Sequence, residues 1–179
     1  EALGVVIELS ADAVATCVRD ANIGFCFAPA FHPAFRFAGP TRREIGVPTA
    51  FNLLGPMANP GRVRRQVIGV ADPRFVAPMI QTLQRQGLSD AWVVHGDGLD
   101  ELTTTGPSAV VALRAGVITE FTIDPTTLDL PRASVADLRG GAPEDNARAA
   151  LRVLDGEPGH HRNIVVLNAA AGLVVGGAA

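Results

Sequence analysis

Apolar positions recur along the chain in two rhythms, one of helix and one of strand. From Ala11 to Ala21, Val14, Cys17, Val18 and Ala21 return at spacings of three and four behind Ser10, which predicts a capped amphipathic helix. Ile23 to Ala28 is a short, strand-like apolar run. Pro29, Pro33 and Pro40 then break the chain into brief turns and helical pieces as far as Glu44, a loop region of the kind that carries sites. Arg65 to Ala71 reads as a buried strand. Asp72-Pro73 opens a helix to about Gln86, Gly87 closes it, and Ala91 to His95 is a second buried strand. Strand, helix, strand at this spacing is a βαβ unit, whose crossover favours parallel pairing and helices on both faces of the sheet.

Ala109 to Arg114 and Val117 to Ile123 flank Ala115-Gly116, a two-residue hairpin signal that appends an antiparallel ribbon and makes the sheet mixed. Helices are predicted over Ser134 to Arg139, Pro143 to Leu154 and Arg162 to about Val175. The expected fold class is therefore α/β, a mixed, mainly parallel sheet covered by helices, with residues 1–179 forming a single domain. The chain opens at Glu1 with neither an initiator Met nor a charged-then-apolar leader, and is read as an excerpt of a longer protein.

Composition narrows the function classes. At 47% apolar and 18% charged residues the chain has a globular balance, and no apolar stretch reaches the length of a membrane span. The apolar tail from Ile164 to Ala179, interrupted by Asn168, reads as a buried terminal helix. Cys17 and Cys26 belong to no paired framework or CxxC motif and are expected as buried free thiols in a reducing cytosol. A net charge of -3 argues against binding nucleic acid over the whole surface. Between Arg36 and Arg65, however, six arginines face one acid, Glu44, giving a local charge of +5 suited to an anionic small molecule or to a solvated basic face. All fifteen basic residues are arginine, which excludes a P-loop lysine or a lysine Schiff base in this chain. A side-chain cation here is a guanidinium, suited to bidentate carboxylate or phosphate.

Three constellations can carry chemistry. His95-Gly-Asp-Gly-Leu-Asp-Glu101 leaves the carboxyl end of a predicted strand, the edge where open α/β sheets gather ligands. Its adjacent carboxylates, Asp100 and Glu101, offer hard oxygen ligands to a magnesium ion that shares a substrate phosphate. A lone Asp-Glu on a surface loop is more often simply solvated, and an acid/base pair suits adjacent side chains poorly because they point apart. Phe31-His-Pro-Ala-Phe-Arg36 with Thr41-Arg-Arg-Glu44 sets aromatic surface beside consecutive arginines, Arg42 and Arg43, which diverge by about 100° on a helix and can serve different partners. Flat apolar surface beside a guanidinium suits an aromatic acid, although each phenylalanine can also be core. His32, ahead of Pro33, reads as a hydrogen-bonding residue before a catalytic one. Phe51-Asn-Leu-Leu-Gly-Pro-Met-Ala-Asn-Pro60 specifies a rigid connection.

Taken in order, Ile23-Gly-Phe-Cys-Phe-Ala-Pro29, Phe31-His-Pro33, Arg42-Arg-Glu-Ile-Gly46, Phe51-Asn-Leu-Leu-Gly-Pro56, Asn59-Pro60, Val94-His-Gly96 and Leu99-Asp-Glu-Leu102 resemble the anthranilate phosphoribosyltransferase family. Leu138-Arg-Gly-Gly141, Asn146 and Leu167-Asn-Ala-Ala-Ala171 extend the resemblance over the whole chain. It implies the large-domain fold shared with nucleoside phosphorylases. It also implies transfer of the phosphoribosyl group from phosphoribosyl pyrophosphate to anthranilate in tryptophan biosynthesis, with Mg2+, by a cytoplasmic homodimer that binds neither nucleic acid nor membrane. Arg42 would bind the anthranilate carboxylate, Pro29, His32 and Phe35 would line the aromatic entry, and Asp100 and Glu101 would hold the metal. The family's glycine-rich loop, its Lys-His-Gly-Asn-Arg segment and its small helical domain lie upstream of Glu1, so this fragment alone is expected to be inactive. The loop ahead of Asp100 is one residue shorter than the family's usual His-Gly-Asp-Asp-Gly-Leu-Asp-Glu, and Phe35 stands where Tyr or Met is common. The alternatives are a nucleoside phosphorylase of the same fold and a nucleic-acid-binding relative using the arginine patch.

Overall fold

The computed structural model describes residues 1–47 and 49–178, with side chains at all of these except Arg36 and Arg42. It divides into two compact units, Glu1–Arg62 and Val63–Ala179.

The first unit is helical. Helix α1 spans Ala11–Ala21, with the Ser10 side chain accepting from the Ala13 amide at 3.2 Å and Asn22 closing the helix at φ 59°. Val14 is its buried residue. Helix α2 is the single turn Ala28–Phe31, a 3-10 stretch covers Pro33–Ala38, and α3 and α4 cover Gly39–Ile45 and Ala50–Met57. The apolar run before α2 forms no strand: Ile23 and Phe25 are exposed, and Cys26 is exposed rather than buried. Lacking a partner strand among the described residues of its unit, the run stays extended between two helices, while Cys17 is half-buried.

The second unit carries the sheet, in the order β1 (Arg65–Gly69), β2 (Asp90–Gly96), β3 (Ser108–Arg114) and β4 (Val117–Ile123). β1 and β2 pair in parallel, and β2–β3 and β3–β4 pair antiparallel. The sheet is thus mixed, and the appended ribbon contributes more of its pairings than the βαβ unit. At the hairpin tip, Ala115 and Gly116 both take positive φ, 49° and 83°, as a primed two-residue turn demands.

The crossover between β1 and β2 begins with a 3-10 turn, Pro73–Phe75, before the α-helix α5, Val76–Arg85. Asp72 caps the turn by accepting from the Arg74 amide at 3.0 Å, and its carboxyl is held below the usual range chiefly by the Arg74 side chain. Val76, Met79, Ile80 and Leu83 form the buried stripe of α5, which packs on β2 and β3. Helix α6 (Pro143–Leu154) starts behind the Ala142 amide, which donates to Asp145. The stretch expected as a helix from Ser134 is a single 3-10 turn, Val135–Leu138: a Ser134–Asp137 capping box opens it, and Arg139 ends it by turning extended at φ -67°, ψ 126°.

The last helix, α7 (His160–Gly176), lies against β1 and β2. Its buried residues are Ile164, Leu167, Ala171 and Val175. Leu167 and Ala171 join Val94, Val110 and Leu102 in one cluster, with Val67 and Trp92 packed against it. Since successive strand residues point to opposite faces, Ile68, Ala91 and Val93 look the other way, toward the face that α5 covers. At the far end of α7, Arg65 donates to the Gly176 carbonyl and pairs with Asp90 at 3.6 Å, so this arginine of the basic stretch serves the fold.

Candidate functional site

In the first unit, the aromatic residues singled out from sequence come together in part. His32 ends α2 and stacks on Phe35, with ring centroids 5.0 Å apart and planes 19° from parallel. Phe51 of α4 meets Phe35 edge-on at 5.0 Å, so the His32–Phe35 stack is backed by a second helix. Pro29, in the first turn of α2, borders a concavity of about 340 Å3 shared with Glu8, Leu9, Phe27 and Ala30, which His32 and Phe35 do not line. Arg42 belongs to α3, but its side chain lies outside the described residues, as does that of Arg36.

In the second unit, the Asp100-Glu101 pair sits just past the carboxyl ends of β1 and β2. The short loop leading to it is a closed turn: Gly96 and Leu99 exchange both backbone hydrogen bonds, at 3.1 and 2.8 Å. Asp97 and Gly98 between them take φ of 50° and 83°. Asp-Gly is the residue pair such a primed turn prefers, and it closes this short loop without placing a β-branched residue at a positive φ. The chain then folds back over the strand ends at two glycines. A Cβ on Gly69 would stand 1.5 Å from the Asp100 carbonyl oxygen, and one on Gly96 would stand 2.4 Å from that of Glu101. Only bare backbone fits beneath the pair.

The segment after the pair is fixed from the protein interior. Thr103 and Ser108 are fully buried, with the Thr103 amide donating to the Ser108 hydroxyl at 2.9 Å. The Thr103 hydroxyl bonds that of Thr105, which in turn donates to Asp97 at 3.1 Å and so ties the turn to the segment beyond it. Arg132 bridges the Thr105 carbonyl and Asp124. Leu102 is completely buried, and the Asn168 side chain of α7 brackets it, accepting from its amide at 3.0 Å and donating to its carbonyl at 2.8 Å. Sequence reasoning assigned none of these residues to the site. Their signal was present in Asn168, a polar residue interrupting an apolar helix.

Burial pushes the Glu101 carboxyl above its usual range, and the Asp100 charge beside it adds to the shift. No ion pair reaches either carboxylate among the described residues. Two hard oxygen donors that repel each other form an electrostatic deficit that a divalent cation relieves. Among the described residues no cluster of three or more His, Cys, Asp or Glu side chains could enclose a metal. A cation of magnesium's character suits such an open set, since it keeps several waters and takes its remaining ligands from substrate oxygens.

The fold and site together define an α/β protein whose candidate ligand chemistry sits at the carboxyl edge of a mixed sheet. The chain belongs to the glycosyl transferase family, a/b domain, whose profile matches residues 1–179. It is similar to the anthranilate phosphoribosyltransferase of Parvibaculum lavamentivorans, at 49% identity over 180 residues, covering 100% of this chain and 53% of that protein. It is 51% identical to that of Rhodopseudomonas palustris strain BisB18 over 179 residues, covering 99% of this chain and 53% of the relative. The chain thus spans about half the length of the curated relatives it matches. Among solved structures, anthranilate phosphoribosyltransferase from Saccharomyces cerevisiae in complex with PRPP and Mg shares the fold at a TM-score of 0.86. The identity is 24%, over 95% of this chain and 50% of that one. The same yeast protein in complex with 4-fluoroanthranilate gives a TM-score of 0.85 at 23% identity, over 98% of this chain and 52% of that one. No described helix is long and apolar enough to cross a membrane.

Proposed function

We propose that the protein transfers the phosphoribosyl group of phosphoribosyl pyrophosphate to the amino group of anthranilate, a step of tryptophan biosynthesis, and that residues 1–179 are one incomplete α/β domain of it. The observation that carries this reading is the unneutralised Asp100-Glu101 pair at the strand ends, in a chain about half identical to enzymes of that name. In this reading Asp100 and Glu101 hold a magnesium ion against the pyrophosphate. When bound, the cation supplies positive charge to the departing pyrophosphate oxygens. Arg42 presents its planar guanidinium to the anthranilate carboxylate, which fixes the ring and aims the amine. The His32–Phe35 stack and Pro29 offer flat surface along the aromatic entry. Bond breaking at the anomeric carbon develops oxocarbenium character, so placement of the two substrates and stabilisation of charge dominate the rate. The same reading makes the whole protein a cytoplasmic homodimer.

The test is steady-state kinetics of the full-length protein. Arg42→Ala is expected to raise the KM for anthranilate about tenfold or more, with little change in that for the phosphoribosyl donor, as loss of one charge-assisted bidentate contact predicts. Equal effects on both substrates would remove Arg42 from the carboxylate role.

A further inference from the structure

We infer that Asn168, on the last helix, is the positioning residue of the cation-binding pair, acting through the backbone of Leu102. The inference rests on the reading of Asp100 and Glu101 as metal ligands made above. Past the polar first turn of α7, His160-His-Arg-Asn163, Asn168 is the one polar residue between Ile164 and Gly176, and its side chain reaches the segment that follows the strand ends. Its amide group uses its donor and acceptor together. Oδ1 accepts from the Leu102 amide at 3.0 Å, and Nδ2 donates to the Leu102 carbonyl at 2.8 Å. A second Nδ2 contact, 3.0 Å to the Ile164 carbonyl, anchors the side chain to its own helix. The same nitrogen lies 3.5 Å from Glu101 Oε2, a long contact aimed at the outer carboxylate oxygen.

Bracketing both polar groups of one residue fixes the peptide plane on either side of it, including the plane that follows Glu101. The Leu102 side chain is fully buried in the cluster with Leu167, one residue before the clamp, so the loop cannot slide along the helix. Gly69 and Gly96 abut the backbone of the pair itself, at the Asp100 and Glu101 carbonyl oxygens. Asp100 and Glu101 are therefore held between two strand-end glycines and one helix-borne amide. Outer residues that orient metal ligands in this way typically change metal affinity 10- to 100-fold when removed.

The experiment titrates Mn2+ into the full-length protein in the presence of phosphoribosyl pyrophosphate and counts free metal by electron paramagnetic resonance. It compares wild type, Asn168→Ala, Asn168→Ser, Val175→Ala and the double variant Asp100→Asn, Glu101→Gln. Asn168→Ser retains a hydroxyl that can return a bond to the Ile164 carbonyl, which protects folding, but it is too short to bracket Leu102. Val175→Ala removes buried surface from the same helix, away from the clamp, and is expected to lower the unfolding midpoint without moving the metal isotherm. The double variant and both Asn168 variants are expected to weaken Mn2+ binding about tenfold or more, and hydrogen exchange at the Leu102 amide should quicken in the Asn168 variants. If the double variant weakens binding while the Asn168 variants match Val175→Ala, the clamp role is overturned and the metal pair stands. If the double variant binds Mn2+ as wild type does, the metal reading falls and the clamp falls with it.

Discussion

Gly69 and Asp100 touch through bare backbone: a Cβ on the strand residue would lie 1.5 Å from the carbonyl oxygen of the loop residue. Gly69 does not have a positive φ, so its demand is for space and not for conformational freedom. Gly69→Ala must therefore move either β1 or the Asp100 peptide. The expected cost is about 1–3 kcal/mol of stability, typical of overpacking, together with, on the proposed function, a weakened magnesium dependence of the full-length protein. Urea unfolding and a magnesium titration of the rate measure the two effects separately.

Glu101 gives the protein a pH signature. Burial first, and the Asp100 charge second, raise its carboxyl above the ordinary glutamate value. In metal-free protein the folded state holds this proton at pH values where the unfolded chain has released it. Its contribution to stability is thus most favourable below the ordinary glutamate range and declines as pH rises toward the elevated folded value. Glu101→Gln should remove that decline, leaving the variant more stable relative to wild type at neutral pH than in acid. Trp92 is the chain's single tryptophan and meets Phe121 edge-on at 5.3 Å in the second unit, so its fluorescence can follow urea unfolding at each pH.

Ala115 occupies the left-handed region at φ 49° in the β3–β4 turn, where an L side chain other than Asn or Asp is disfavoured. Ala115→Asn should stabilise the second unit by about 0.5–1 kcal/mol without altering turnover, because the hairpin tip is remote from the strand ends carrying Asp100. The Trp92 unfolding midpoint is again the measurement. A loss of stability would show that the turn tolerates Ala for a reason beyond backbone geometry.

Much of the fold was legible because local signals agreed with one another. Ser10 ahead of a three-four rhythm marked α1 to the residue, and Ala115-Gly116 between two strand-like runs marked the hairpin. Where the sequence misled, the deciding fact was not local. Ile23 to Cys26 has the composition of a strand, yet a strand requires a partner, and among the described residues of its unit none pairs with it. Ser134 to Arg139 has a helical start, capped by Asp137, but the backbone turns extended at Arg139 after a single 3-10 turn. The candidate site divides in the same way. Asp100 and Glu101 were visible as adjacent acids after a strand. What holds them, Asn168 and Gly69, is distant in sequence and carries no local signal that points to the acidic pair, so folding alone brings it beside them.

The reach of the Asn168 clamp also bears on the order in which the protein is made. The residue lies 66 positions beyond Leu102, in α7. Synthesis proceeds at roughly 5–20 residues per second, so the sheet edge and its acidic pair leave the ribosome several seconds before the residue that fixes them. During that interval the nascent loop carries its carboxylates without a set geometry. Chains interrupted ahead of Asn168, by early termination or by trimming, would keep all four strands yet leave the Leu102 peptides beside the acidic pair unclamped.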